Sequence, residues 1–462
     1  MINYFNFQEW NAGYLITNDA GYYAFLTKDE FQDFILEKMN KTCSKYYELV
    51  QKYFIVDRHP FVTASNLADI IRNHRSYLQL STSLFMFVMT NECNMHCRYC
   101  QAQSEKKRNY GKMNNQIAKR AADIALQSPC KEIMIEFQGG EPLLNFDTIK
   151  YVVDYLNRNK GEHEIKYSIV TNSSLLTPDI IDYLYGHEIS VSLSIDGGKA
   201  VQDYNRPMNN GDSNYEYVLK HIQSLRDKGI LAGAVMTTTR YSLDKAKEIV
   251  DTYCDLKLED IFIRPLSPLG FAKEHWNEIG YTPAEFALFY SEALKYILEK
   301  NRKGYQLRES HANLFLQKIL KQTSENYMEL RSPCGAVIGQ LAFYFNGNVY
   351  TCDEGRMLSQ MGKEEFCLGN VYSSSFSDYI KSPICGAMCR ASILETIPGC
   401  CDCVYMPYCG VCPATTYATE NDIITRNYHN YRCATYKGII DTLFKNLLIP
   451  ENKQILESWI NG

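Results

Sequence analysis

The chain has 462 residues, 45% hydrophobic and 22% charged, with a formal net charge of −5. That balance describes a globular protein of roughly two to four domains and argues against a broad nucleic-acid-binding face, which would be basic. No apolar stretch approaches the roughly 20 residues of a membrane span, and residues 1–6 lack the basic start and apolar core of a secretory signal. The expectation is a cytoplasmic protein with neither a nucleic-acid nor a membrane partner.

Seventeen cysteines would suit disulfides or metal chemistry. Chain length and the absence of a signal weaken the disulfide reading. Their distribution weakens it further, because three cluster at 93–100 and eleven fall between 334 and 433.

Residues 1–80 read as a small α+β unit. Two β-prone runs, 14–17 and 22–26, flank the hairpin signal Asn18-Asp19-Ala20-Gly21. Thr27 with Glu30 makes a capping box for a helix carrying Phe31, Phe34, Ile35 and Met39. Further helices are expected near 44–54 and 66–80. A hairpin followed by helices resembles the winged-helix recognition elements that capture leader peptides by adding a strand to a sheet edge, a capping domain being the alternative.

From 83 to about 265, short apolar runs alternate with amphipathic helices, the pattern of a parallel βα sheet or barrel. Strands are expected at 84–89, 132–137, 165–171, 189–195, 230–238 and 260–264. Helices fall near 114–127, 146–158, 178–185, 214–228 and 242–253. The working loops of such a fold lie at the C-terminal strand ends.

The loop after the first of these strands is Cys93-Asn94-Met95-His96-Cys97-Arg98-Tyr99-Cys100. Three thiolates are one short of the four that usually close an iron–sulfur or zinc site, which suggests a metal kept open for a reacting ligand. Cys-x3-Cys-x2-Cys, with Tyr99 before the last cysteine, resembles the signature of the radical S-adenosylmethionine (SAM) enzymes. The resemblance implies a 4Fe–4S cluster on Cys93, Cys97 and Cys100, with SAM on the fourth iron. It also implies a partial (β/α)6 TIM barrel over residues 81–270.

Other motifs fit that resemblance. Gly139-Gly140-Glu141, after the second strand, is similar to the turn that binds the SAM amino group. Thr171-Asn172-Ser173 carries a serine where the family usually has glycine. On the fourth strand Ser192 and Ser194 share one face. By resemblance one of them reaches the SAM ribose or carboxylate, and Arg206 pairs with the carboxylate. Tyr99 is grouped with these cofactor-binding residues.

Residues 271–330 read as a helical linker, with Thr282, Pro283 and Glu285 forming a good helix start. The unit 331–440 follows, then a tail, 441–462. Asn346-Gly347 marks a hairpin between 341–345 and 349–351. Cys334, Cys352 and the run Cys400-x2-Cys403-x5-Cys409-x2-Cys412, with Cys433 beyond, resemble the cysteine-rich SPASM extension, the last pair being one residue short. The resemblance implies two auxiliary 4Fe–4S clusters, making three in all. Cys400, Cys403, Cys409 and Cys433 would hold the distal cluster. Cys334, Cys352 and Cys412 would hold the proximal one, which either keeps an open iron or recruits Cys385 or Cys389. A zinc ribbon is the alternative. Asp353, beside Cys352, matches the position of a catalytic base in sulfatase-maturing relatives.

The reading is a radical SAM oxidoreductase acting on a ribosomally made peptide or protein, fed by an external electron donor of flavodoxin or ferredoxin type. The His-Xaa-Ser repeat peptide maturases are a candidate subfamily. Alternatives are a sulfatase-maturing, formylglycine-generating enzyme and a non-catalytic zinc or iron–sulfur binding protein.

Overall fold

The computed structural model describes residues 1–57, 59–103, 110–323, 328–427 and 429–461. Its N-terminal unit is a three-stranded antiparallel sheet of β1 (Asn6–Trp10), β2 (Gly13–Thr17) and β3 (Tyr23–Thr27). The expected hairpin is β2–β3. β1 is an additional strand, hidden in the sequence by its polar residues Asn6, Gln8 and Glu9. Thr27 and Glu30 form the expected capping box of helix Lys28–Ile35. The third helix runs Pro60–His74 rather than 66–80, because Pro60 occupies the first turn, where its fixed φ and missing N–H do no harm.

Six parallel strands follow: β4 (Leu84–Thr90), β5 (Glu132–Gly139), β6 (Glu164–Thr171), β7 (Ile189–Ser194), β8 (Gly233–Thr237) and β9 (Asp260–Arg264). Each connection passes through helix, as parallel neighbours require. β5, β6 and β7 alternate strictly. Ile133, Ile135, Phe137, Tyr167, Ile169, Val191 and Leu193 are buried beneath the helices, while Glu136, Gln138, Ser168, Ser192 and Ser194 share the opposite, half-buried face. One face packs a core and the other lines a polar interior, as in a partial TIM barrel.

The sheet continues past this barrel on both sides. β10 (Arg308–Glu309) pairs parallel with β9. On the other edge β11 (Gln340–Phe343) pairs parallel with β4, from Gln340 opposite Leu84 to Phe343 opposite Phe87. β12 (Asn348–Tyr350) and β13 (Cys367–Asn370) extend it antiparallel. The hairpin read at Asn346-Gly347 is thus fused to the barrel sheet and brings the first cysteines of the C-terminal unit to the barrel's edge.

Candidate active site

The cysteine loop leaves β4 and is gripped by backbone from three directions. The end of β5 presses on its start: Gly140 N–H donates to Thr90 C=O at 2.8 Å and Glu141 N–H to Glu92 C=O at 2.9 Å. A Cβ on Gly139 would stand 2.4 Å from the Thr90 oxygen, and one on Gly140 2.2 Å from the Glu92 oxygen, so this approach excludes side chains. From the second side the segment after β7 donates and accepts in turn. His96 N–H bonds Pro207 C=O at 2.9 Å, Arg98 N–H bonds Asn205 C=O at 3.0 Å, and Asn209 N–H bonds Asn94 C=O at 3.2 Å. From the third, Phe271 N–H bonds the carbonyls of Cys100 (2.9 Å) and Gln103 (3.0 Å), with Gly270 at φ +52° before it.

Cys93, Cys97 and Cys100 face one another in this cradle. Burial pushes the Cys93 thiol up, and Cys97, Glu141 and Cys100 add to it; burial likewise pushes Cys97 up to about 12. Such thiols stay protonated unless a metal centre supplies the opposing positive charge.

Behind the loop Tyr99, Asp196 and Arg206 form a buried polar group. Asp196 accepts from the Tyr99 hydroxyl (2.7 Å), Arg206 Nε (3.1 Å), Arg206 Nη2 (3.3 Å) and Thr237 N–H (3.1 Å). The Arg206 guanidinium also lies 5.1 Å from the centre of the Tyr99 ring. Burial works against the arginine's charge, but Asp196 overcomes it and raises its pKa above the usual range. Arg206 and Tyr99, both read as cofactor residues, thus have structural partners in Asp196, a residue the sequence reading passed over.

Glu141 is fully buried and its carboxylate is engaged by the chain. Oε1 accepts from Leu143 N–H (3.1 Å) and the Thr171 hydroxyl (2.8 Å), and Oε2 from Asn172 N–H (2.9 Å). It ties the end of β5 to the end of β6, and burial lifts its pKa to about 7. Asn172 then reaches the cysteine loop through Asn94 at 2.9 Å. Ser173 adopts φ +66°, so the serine itself takes the left-handed conformation a glycine would supply.

The polar interior holds Glu136, Gln138, Ser168, Ser192, Ser194 and Arg264. Glu136 accepts from Gln138 (2.5 Å) and Ser168 (3.4 Å). Burial raises its pKa, and the nearby Asp353 carboxylate raises it further. Glu136 was missed in the sequence; the signal was a carboxylate in an otherwise apolar strand, in phase with Gln138. Asp353 opens helix Asp353–Gln360 and accepts from Arg356 Nε (3.1 Å) and Nη2 through one oxygen. The fully buried Arg356 also feels the Cys100 thiol, so this ion pair stands between the cysteine loop and the C-terminal unit. Beside it a narrow cleft of about 40 Å³ is lined by Arg264, Pro265, His311, Glu329, Glu354 and Arg432, among others.

The remaining cysteines gather in two groups. Cys334, Cys352 and Cys412 share one buried cluster with Leu269; burial raises each thiol, helped by neighbouring thiols at Cys334 and Cys352 and by Glu354 at Cys412. Cys352 and Cys412 are N-caps of eight-residue helices, accepting from Gly355 N–H at 3.3 Å and Thr415 N–H at 3.5 Å, which offsets part of that rise. Cys400, Cys403, Cys409 and Cys433 form the other group; burial and the three neighbours push Cys400 up to about 12. Cys401 lies outside it, with its thiol on Asp402. Cys385 and Cys389 hydrogen-bond each other and pack in the main core, while Met388 and Ile384 of the same helix face the Cys334 group. Whether the Cys334 group keeps an open iron or recruits one of these two thiols stays with the proposal below.

Among the described residues no three His, Cys, Asp or Glu side chains are drawn together closely enough to hold a single metal ion. Thiolates that each bind a different iron of a cube stand further apart than ligands sharing one ion. The donor sets, all thiol and buried or half-buried, fit iron–sulfur clusters.

Residues 87–265 match the radical SAM superfamily. An uncharacterized protein of Methanocaldococcus jannaschii is 28% identical over 67% of this chain and 95% of its own length. A cysteine-type anaerobic sulfatase-maturating enzyme of Clostridium perfringens is 21% identical over 80% of this chain and 98% of its own. The solved structure of native anSMEcpe with bound AdoMet superposes with a TM-score of 0.69 at 18% identity, covering 81% of this chain and all of that one. Streptococcus suis SuiB bound to S-adenosylmethionine gives 0.56 at 16%, over 92% and 98%. The protein is an enzyme. Its catalytic part is a radical SAM domain, a class that implies a 4Fe–4S cluster and SAM.

Proposed function

We propose that the enzyme oxidatively modifies a ribosomally made peptide, with three clusters held by Cys93/Cys97/Cys100, Cys334/Cys352/Cys412 and Cys400/Cys403/Cys409/Cys433. The observation that carries this reading is the gathering of two further thiol groups beyond the radical SAM domain, one of them buried and adjoining Asp353 at the mouth of the polar interior. That SuiB and anSMEcpe have been solved with peptides bound adds support. With its cofactors bound, such a site supplies a carbon-centred radical that removes a hydrogen atom from the substrate.

The chain's own residues then have separable tasks. Gly139, Gly140 and Glu141 fix the cysteine loop against the ends of β5 and β6. Ser192 and Ser194 present hydroxyls toward SAM, and Arg206, anchored on Asp196, presents its remaining N–H donors. Glu136 and Arg264 offer opposite charges to the peptide. Asp353, oriented by Arg356, takes the proton that leaves as the substrate is oxidised. Asp353 and the relative from Clostridium perfringens favour sulfatase maturation as a second reading.

Anaerobic reconstitution tests both. About twelve irons per chain, with 5′-deoxyadenosine formed and its yield raised by a peptide substrate, supports the proposal. Conversion of a cysteine-containing sulfatase peptide to formylglycine decides for the second reading. Zinc in place of iron, without SAM cleavage, ends both.

A further inference from the structure

Among the described residues Lys318 is the only buried lysine, 6% exposed. It stands in a π-helical turn, Gln317–Lys321, that continues helix Ser310–Leu316, a geometry frequent at functional sites. Its Nζ donates to Leu330 C=O at 2.7 Å, and among the described residues no carboxylate lies within ion-pair distance of it. A buried ammonium is costly unless an opposite charge stands close.

The opposite charge comes from the neighbouring cysteine loop. Gly410 is pressed so closely onto the backbone at 329–330 that a Cβ there would stand 2.2 Å from the Glu329 oxygen and 2.6 Å from Leu330 Cα. This contact brings Cys409 and Lys318 to the wall of one cavity of about 40 Å³, lined also by Asp19, His74, Arg75 and Glu395. Those four groups do not neutralise the lysine. Glu395 is paired with Arg75, and Asp19 is exposed and feels the same arginine. His74 is kept neutral, since burial and then the Lys318 charge push it down to about 4. Burial pushes Lys318 itself down to about 8, and the Cys409 thiol is the neighbour that opposes this. The next buried cation, Arg331, lies over the Tyr77 ring at 5.0 Å and feels Cys334 instead.

We infer that Lys318 holds a positive charge against the cluster on Cys400, Cys403, Cys409 and Cys433 and raises the reduction potential of that cluster. The inference rests on the three-cluster reading above. When the substrate radical is oxidised, it loses one electron and the cluster gains one; no bond to the cluster forms or breaks. The reduced cluster carries one more negative charge, and a buried ammonium favours that form because its surroundings screen little. Lys318 touches no substrate, so its effect is on where the electron settles.

Potentiometry followed by electron paramagnetic resonance on the reconstituted full-length protein tests this. Lys318→Gln keeps a donor for Leu330 and loses the charge. It is expected to retain about twelve irons per chain and to make one auxiliary cluster at least about tenfold harder to reduce, ~59 mV for one electron. Lys318→Arg stays within about twofold of the parent equilibrium. Arg331→Gln, beside Cys334, moves the other auxiliary potential and so tells the two clusters apart. The inference is overturned if Lys318→Gln moves no potential, or if it moves the same one as Arg331→Gln. Should Lys318→Gln fail to load its clusters, Lys318→Met is the second neutral variant. Loss of the distal iron in both would make the lysine a structural residue and overturn the inference. An unmutated protein that binds only about eight irons defeats the three-cluster reading instead.

Discussion

Asp353 and Glu136 are two carboxylates over one polar interior; Arg356 is hydrogen-bonded to Asp353, whereas Glu136 accepts from Gln138 and Ser168. That asymmetry assigns their work: the arginine keeps Asp353 oriented for proton removal, while Glu136, steadied by Gln138 and Ser168, faces the interior that receives substrate. Asp353→Asn is expected to leave SAM cleavage within about threefold and to lower peptide product at least ~100-fold, as chromatography of both products will show. In the wall of the cleft beside the Asp353–Arg356 pair His311 is buried between Phe262, Phe315 and Tyr436, and burial pushes its pKa down to about 3; His74 is pushed to about 4 in the same way. Both histidines gain a proton only on unfolding at pH below about 6.5, so the unfolded state binds more protons there and stability falls as pH drops toward 4. His311→Phe removes about 2 kcal/mol of that loss at pH 5. Calorimetry at pH 7 and pH 5 is expected to show the variant gaining on the parent protein at the lower pH.

At the level of elements, the Thr171–Ser174 turn shows a strained solution to a local demand. Ser173 sits at φ +66° with its hydroxyl buried and unpartnered. Ser173→Gly is expected to raise stability by about 1 kcal/mol in denaturant unfolding, the strain relieved exceeding the glycine's entropic cost. The six barrel strands and five of the helices between them were legible because periodicity switches cleanly from 2 to 3.6 residues, and their ends moved; the short helix Lys199–Asn205 was not read. Helix 242–253, for example, begins instead at Ala246 after a short turn at Arg240–Ser242. β1 was not legible, since a short strand carrying Asn, Gln and Glu has no signal apart from its partner. β11 was legible as a strand but not as a neighbour of β4, because pairing across 250 residues leaves no local trace. In the site, cysteine spacing announced all three thiol groups. Asp196 and Arg356 escaped, because a buried ion-pair partner is defined by what folds against it.

Across the whole molecule the chain closes on itself. β1–β3 lie against residues near 401–444: Thr17 donates to Val404 C=O at 2.8 Å, the Tyr408 hydroxyl donates to Gly21 C=O at 2.9 Å, and Tyr23 packs on Phe444 at 5.1 Å. Asn6→Ala with Thr17→Val is expected to cost about 2 kcal/mol at this junction. Limited proteolysis should then release the N-terminal unit first, while SAM cleavage by the barrel persists. The same junction has a consequence in time. The N-terminal sheet leaves the ribosome well before its partner, the loop carrying Cys400–Cys409, so this long-range contact forms late. The N-terminal sheet is thus seated only after the loop carrying Cys400–Cys409 has been made, and until then it lacks the surface it packs on.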